Sequence, residues 1–417
     1  MGFDAVRRLA EDAKSAAHEL SLLPTGVKNA ALKEMALAIR RDRVLILLAN
    51  KADVDIAKKK GVAPSLIGRL ELNDKKIEGI AASLENIASL PDPVDREIWT
   101  RKRPNGLRIR KVGVPLGLIL IIYESRPNVT ADCMALCLKS GNSVVLKGGS
   151  EALNSNRAIF DALRKAAVKK GVPVKAFALV PTADRAAVKE LLQLSEVIDL
   201  VIPRGGEGLI REVARISKIP VIKHYKGVCH VYVDRDADLK KAVSIVINSK
   251  TQNPGVCNAM ETLLVDQAVA SKFLPVVASE LRAKNVKLRG SDKVRQILPG
   301  IEKATEEDWH AEYLDLILAI KVVKDAKEAV AHIQKYGSHH SDAIVTKNKK
   351  TADFFSASVD SACVFINAST RFNDGGEFGM CAEMGISTDK LHARGPMGLE
   401  ELTSYKYVVT GDGQVRG

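Results

Sequence analysis

Apolar positions recur at helical spacing through the first 90 residues. The stretches Phe3–Leu20, Thr25–Asn50 and Lys51–Lys60 each gather their apolar side chains on one face, which predicts amphipathic helices. Pro64 suits the first turn of a short helix that continues over Ser65–Leu70. Asn73 or Asp74 caps a further helix ending by Leu90, and Pro91-Asp92-Pro93 then breaks the pattern. Between Arg96 and Lys111 the period changes to two. Trp99, Arg101 and Arg103 alternate before Pro104-Asn105-Gly106, and Leu107 and Ile109 alternate after it. Asn-Gly favours a tight turn, so this segment reads as a projecting basic β-hairpin.

From residue 112 short apolar runs alternate with helical stretches. Strands are expected at Val114–Tyr123, Ser143–Lys147, Phe177–Val180 and Leu200–Ile202. Helices are expected at Val129–Lys139, Ala152–Lys170, Thr182–Leu194 and Leu209–Ser217. Such alternation indicates a parallel sheet covered on both faces, which binds nucleotides at the carboxyl ends of its strands. A second α/β segment begins near residue 230. Its expected strands are Val231–Val233, Thr262–Val265, Leu316–Val323, Asp342–Val345 and Cys363–Asn367. Its expected helices are Asp238–Thr251, Ala268–Lys284, Ala326–Tyr336 and Lys349–Ser358. The tail Leu402–Thr410 is polar and β-prone without a sheet of its own, so it is expected to pair elsewhere, in this chain or in a partner.

Composition narrows the class. The chain has 417 residues, of which 46% are hydrophobic and 27% charged. That length suggests two or three domains, and the apolar content excludes intrinsic disorder. The most apolar stretch, Val112–Tyr123, contains Pro115 and falls well short of the roughly 20 residues a spanning helix needs. Met1–Leu23 carries scattered charges and lacks the apolar run of a secretory signal, so a cytoplasmic location is expected, without membrane attachment. The formal charge of +13 is spread along the chain, with only short runs such as Lys58-Lys59-Lys60. Aromatic residues are 4%, too few for base-stacking platforms. Nucleic acid is therefore not an expected partner, whereas a positive field would attract small polyanions. Six cysteines are too sparse for a disulfide framework. Cys133 and Cys137 share a helix face but have no nearby histidine pair, so no metal site is expected.

One segment carries chemistry by its form. In Lys250-Thr251-Gln252-Asn253-Pro254-Gly255-Val256-Cys257-Asn258 a helix ends, a Pro-Gly turn follows, and a cysteine sits just before a strand. A thiol at such a turn is either a thiolate nucleophile facing a cleft or a small buried filler, and spacing alone leaves both open.

The run Gln252–Val265 resembles the nucleophile loop of the aldehyde dehydrogenase superfamily. Other segments agree in order: Ile122-Tyr123-Glu124-Ser125-Arg126-Pro127-Asn128, Val144-Val145-Leu146-Lys147-Gly148-Gly149, Ile202-Pro203-Arg204-Gly205-Gly206, and Glu377–Thr388. The resemblance covers essentially the whole chain and is tightest to the branch that reduces glutamyl 5-phosphate. It implies a Rossmann-type cofactor domain (1–95 and 112–229), an α/β catalytic domain (230–401) and a β oligomerisation flap (96–111 with 402–417). It implies Cys257 as nucleophile and Asn128 as the oxyanion-hole amide. Lys147 matches the lysine that meets the cofactor's adenosine ribose, with Gly149 beside it, and Gly205 and Gly206 open a helix near the cofactor. Where NAD-preferring relatives carry a glutamate three residues after that lysine, this chain has Ser150, which favours NADP(H). Glu312 lies near the superfamily glutamate that holds the nicotinamide ribose, although Tyr313-Leu314-Asp315 follows it here. Arg371, after a strand near the substrate entrance, reads equally as an α-carboxylate ligand or a structural arginine.

One departure bears on mechanism. Hydrolytic relatives carry a glutamate that activates water. The matching stretch here, Pro220–Gly227, contains no carboxylate, and His224 falls near that position. The loss fits an enzyme whose thioester exchanges with phosphate instead of water. The implied reaction is NADPH-dependent reduction of L-glutamyl 5-phosphate to the semialdehyde, in proline biosynthesis, by a homo-oligomer with a separate glutamate kinase as functional partner. The rivals are a hydrolytic aldehyde dehydrogenase and a basic binding protein that keeps the fold without catalysis.

Overall fold

A computed structural model describes residues 3–416. The chain forms two compact units. The first takes everything up to residue 223, together with 379–385 and 397 onward; the second holds 224–378 and 386–396. The later segments of the first unit return to it from a stretch that the linear pattern assigns to the catalytic half.

The first unit is built on a four-stranded parallel sheet in the spatial order Phe177–Leu179, Ser143–Gly148, Leu118–Tyr123, Leu200–Arg204. Every residue of the two middle strands is buried, as expected of strands covered by helices on both faces. The chain starts at Leu118–Tyr123, moves outward through the next two strands, then returns to the opposite side at Leu200–Arg204. Strand order therefore reverses beside Tyr123 and Arg204, and that reversal opens a crevice at the carboxyl ends of the strands. Leu118, Leu120, Ile122, Val145 and Val201 pack with Val6, Ala10 and Ala13 of the helix Phe3–Ser21. The helix Thr25–Arg41 lies against Asp74–Ser89 and Leu153–Lys169.

Two expected elements prove to be composite. The helix expected over Thr25–Asn50 breaks at Asp42, with φ −90° and ψ 12°, into Thr25–Arg41 and a second helix, Arg43–Lys59, that also takes in the stretch expected as a separate helix over Lys51–Lys60. Each helix keeps its own buried stripe, so the apolar period runs on through the corner. The strand expected over Val114–Tyr123 breaks at Gly117, whose φ of 124° suits only glycine. Asp199 fills the space beside Gly117 and accepts from Leu118 N at 2.7 Å. On one side of this corner Arg108–Pro115 belongs to an antiparallel sheet, and on the other Leu118–Tyr123 belongs to the parallel one.

The antiparallel sheet has three strands: Glu97–Lys102, Arg108–Pro115 and the tail strand Thr403–Thr410. The tail pairs along Arg108–Pro115 from Thr403 opposite Pro115 to Thr410 opposite Arg108. Trp99 and Tyr407 lie with ring centroids 5.8 Å apart, and Lys111 sits over the ring of Tyr405 at 3.5 Å. Tyr405, Tyr407 and Val409 remain about half exposed.

The second unit carries a seven-stranded parallel sheet in the order Glu302–Lys303, Lys287–Gly290, Ile317–Val323, Met260–Asp266, Cys229–Val233, Ser341–Val345, Cys363–Ile366. The edge strands Lys287–Gly290 and Glu302–Lys303 are too short and too charged to stand out in the hydrophobic pattern. No helix among the described residues is long and apolar enough to cross a membrane.

Candidate active site

Cys257 lies between the helix Leu239–Thr251 and the strand Met260–Asp266 in the second unit, and it is half-buried. It stands at the amino ends of this sheet's strands, whereas the crevice of the first unit lies at carboxyl ends. Gly227 runs directly beneath it: a Cβ there would sit 1.8 Å from the Cys257 carbonyl oxygen, so only glycine allows the approach. Gly227 N donates to Glu312 Oε1 at 2.8 Å, which gives Glu312 a role in seating the cysteine loop. The Cys229 thiol donates to the Cys257 carbonyl at 3.2 Å.

The loop is fastened at both ends. Arg371 donates from Nε to Gln252 Oε1 at 2.8 Å and from Nη1 to Asn258 Oδ1. Thr370 Oγ1 donates to Asn258 O at 2.7 Å. Of the two readings open for Arg371, these contacts favour the structural one. Lys250 and Glu261, on the helix and strand that flank the loop, form a fully buried ion pair at 2.5 Å. Burial pushes the Glu261 carboxyl up to about 7 and the Lys250 ammonium down. Cys133, Cys137 and Cys229 are fully buried, and desolvation raises each well above the ordinary thiol range.

Two histidines join Cys257. A sulfur or ring-nitrogen atom of each of His224, Cys257 and His340 lies within 4.8 Å of the others. The His224 and His340 rings meet edge to face with centroids 5.5 Å apart. His340 is completely buried, and desolvation holds its pKa down to about 3, so it is neutral at ordinary pH. Nothing in the pattern around His340 marks it. It comes to Cys257 only because the strands Cys229–Val233 and Ser341–Val345 are neighbours.

The first unit holds the remaining residues singled out in the sequence. Lys147 is the penultimate residue of a fully buried strand, and its Nζ donates to Gly148 O at 2.8 Å. Burial lowers its pKa, against the pull of Glu151 and Asp184. Gly149 and Ser150 lead into a short turn, and the Glu151 carboxylate folds back beside Gly149. There it accepts from Ser125 N at 2.6 Å and Ser125 Oγ at 2.8 Å. Gly205 and Gly206 precede the helix Glu207–Ile216 at the point of strand reversal. Glu124 Oε2 accepts from Gly206 N at 3.0 Å, and space beyond Gly206 is open. The crevice, the bare glycine backbone and the lysine fit a dinucleotide. The two carboxylates beside the glycines are features that motif spacing did not reveal.

Asn128 opens the helix Asn128–Lys139, and its Nδ2 donates to Asp132 Oδ2 at 3.1 Å. An amide nitrogen carries two hydrogens, so this bond leaves Asn128 a second one to give. Asn128 lines a cavity of about 200 Å³ together with Arg126, Arg204, Asp132 and Cys381. Arg204 Nη1 is buried there without a hydrogen-bond partner among the described residues. Asn128, Lys147, Gly149, Ser150, Gly205 and Gly206 thus belong to the first unit, and Cys257 to the second.

A parallel sheet with a strand reversal over glycine turns, and a second sheet presenting a cysteine loop, define a class, and comparison with known proteins agrees. The aldehyde dehydrogenase family model matches residues 2–315, and the chain belongs to that family. Its members are oxidoreductases that use nicotinamide cofactors. Within the family it falls among the γ-glutamyl phosphate reductases. The reductase of Thermoanaerobacter sp. (strain X514) is 52% identical over 409 residues, 98% of each chain. The crystal structure of γ-glutamyl phosphate reductase from Thermotoga maritima superposes with a TM-score of 0.97 at 49% identity, covering 99% of this chain and 100% of that one. A more distant structure, glyceraldehyde-3-phosphate dehydrogenase of Methanocaldococcus jannaschii complexed with NADP, shares the fold at 16% identity and a TM-score of 0.70, covering 99% and 95%.

Proposed function

We propose that this enzyme reduces L-glutamyl 5-phosphate to L-glutamate 5-semialdehyde with NADPH, the second step of proline biosynthesis from glutamate. The observation that carries the reading is full-length similarity to the γ-glutamyl phosphate reductases, with a half-buried cysteine on the loop that the family uses. The Cys257 thiolate attacks the acyl carbon, the carbon–oxygen bond to phosphate breaks, and a thioester forms on Cys257. Asn128 gives its second amide hydrogen to the carbonyl oxygen as that oxygen becomes negative. NADPH, when bound, supplies the hydride that reduces the thioester. Hydride addition leaves the hemithioacetal oxygen as an alkoxide; that alkoxide re-forms the carbonyl, the carbon–sulfur bond breaks, and Cys257 is regenerated as thiolate beside the aldehyde.

Residues 1–95 and 112–229 hold the cofactor in this reading, through Lys147, Gly149, Ser150, Gly205 and Gly206. Residues 230–401 form the catalytic domain that supplies Cys257, and Asn128 reaches it from the cofactor domain's sequence. The strands of 96–111 and 402–417 assemble a homo-oligomer. The substrate comes from a separate glutamate kinase, and the setting is the cytoplasm. The absence of a carboxylate from Val221–Lys226 supports phosphate over water as the partner of the thioester. The test runs the enzyme backward. Semialdehyde oxidation should require phosphate, accept arsenate in its place, and vanish in Cys257→Ser. Fast NADPH formation without phosphate, giving glutamate directly, would replace this reading with a hydrolytic dehydrogenase.

A further inference from the structure

We infer that His224, Cys257 and His340 form a binding site for a thiophilic divalent cation of the zinc class, and that filling it reversibly locks the enzyme. The three side chains come from three separate segments of the second unit, each just ahead of a strand. His224 precedes Cys229–Val233, Cys257 precedes Met260–Asp266, and His340 directly precedes Ser341–Val345. Their ligand atoms already lie within 4.8 Å of one another. Zinc–sulfur and zinc–nitrogen bonds in a tetrahedron put ligand atoms about 3.4–3.6 Å apart, so each separation needs to close by at most about 1.4 Å. Cys257 is half-buried, so its χ1 is the freedom through which the sulfur can approach the two rings.

The surroundings are those that metal-binding histidines require. His224 Nδ1 lies 2.8 Å from the carbonyl oxygen of Ile386, and His340 Nδ1 lies 2.9 Å from Ser341 Oγ. A ligating imidazole keeps its other nitrogen on such a partner, which fixes the ring. His340 Nε2 is buried and has no hydrogen-bond partner among the described residues. A buried polar atom without a partner is costly, and coordination would satisfy it. Cys229 is a poor fourth ligand, because its thiol hydrogen is given to the Cys257 carbonyl. The fourth position therefore belongs to water. One thiolate and two imidazoles suit zinc, copper and cobalt far better than magnesium or calcium.

Binding would displace the Cys257 thiol proton to solvent and form a sulfur–metal bond. The sulfur lone pair is then unavailable for attack on an acyl carbon. The test uses cobalt(II) on the full-length, chelator-treated enzyme without substrate or cofactor. One equivalent per chain should give a thiolate-to-cobalt charge-transfer band that zinc abolishes by displacement. The band should disappear in Cys257→Ser, and affinity should fall at least tenfold in His224→Asn and in His340→Asn. His224→Asn touches a half-exposed side chain, so it stays informative should His340→Asn fail to fold. Stoichiometric zinc should slow alkylation of Cys257, and chelator should restore turnover. A cobalt complex without the thiolate band, or affinity unchanged in His224→Asn, overturns the site. The readout is independent of catalysis, since Cys257→Ser turnover in metal-free buffer tests the nucleophile separately.

Discussion

Replacing Gly227 with alanine should cripple the enzyme without touching any reacting group. An added Cβ would stand 1.8 Å from the Cys257 carbonyl oxygen and 2.6 Å from Cys257 Cα, where ordinary contact begins at 3.4 Å. Both obstacles are backbone atoms, so no side chain can swing aside. The two segments must part by about 1.6 Å, and the cysteine loop must move with Cys257. That shift also pulls Gly227 N away from Glu312 and the Cys257 carbonyl away from Cys229. A misplacement of about 1 Å at a reacting centre costs on the order of 100-fold, so kcat/KM should fall at least that far. Overpacking of this kind costs about 1–3 kcal/mol of stability, which a domain of this size survives. The assay is phosphate-dependent oxidation of glutamate semialdehyde, read beside the alkylation rate of Cys257 and the denaturant midpoint. Gly79→Ala serves as control. Its Cβ would meet nothing within 4 Å on the helix Asp74–Ser89, so activity should hold and stability rise by about 0.4–1 kcal/mol. A folded Gly227→Ala enzyme with kcat/KM within a few-fold of normal would refute the account of how Cys257 is seated.

Ser150→Glu should shift preference from NADPH toward NADH, because a second carboxylate beside Glu151 repels a 2′-phosphate; equal kcat/KM for both cofactors in the unaltered enzyme would contradict the assignment. His332 is buried and held down to about 2, against 6.5 in the unfolded chain, with burial as the main cause. It stays neutral in the folded state while the unfolded state takes up a proton, so its contribution is intact above pH 6.5 and is lost as pH falls below it. Between pH 7 and 5 that loss is about 2 kcal/mol, and denaturant titrations of His332→Gln should show a pH slope shallower by that amount. Val409→Arg places a charge on the exposed face of the tail strand, and it should give a smaller sedimenting species with unchanged secondary structure; an unaltered profile would remove this strand from the assembly.

Much of the secondary structure was legible because periodicity is local. A helix such as Ala326–Tyr336 and a strand such as Ser143–Gly148 declare their buried faces within a few residues. The glycine turns and the cysteine loop were legible for the same reason: each is one continuous segment. The corners at Asp42 and Gly117 were not, since the apolar pattern continues through both. The charged edge strands Lys287–Gly290 and Glu302–Lys303 carry too little burial to leave a pattern. What only the tertiary structure decided is adjacency between distant segments. Strand order sets His340 beside Cys257, Arg371 across the loop from Gln252 to Asn258, and Thr403–Thr410 along Arg108–Pro115. Hydrophobic period specifies which face of an element is buried but not which element covers it, and the environment of Cys257 is fixed by that second choice.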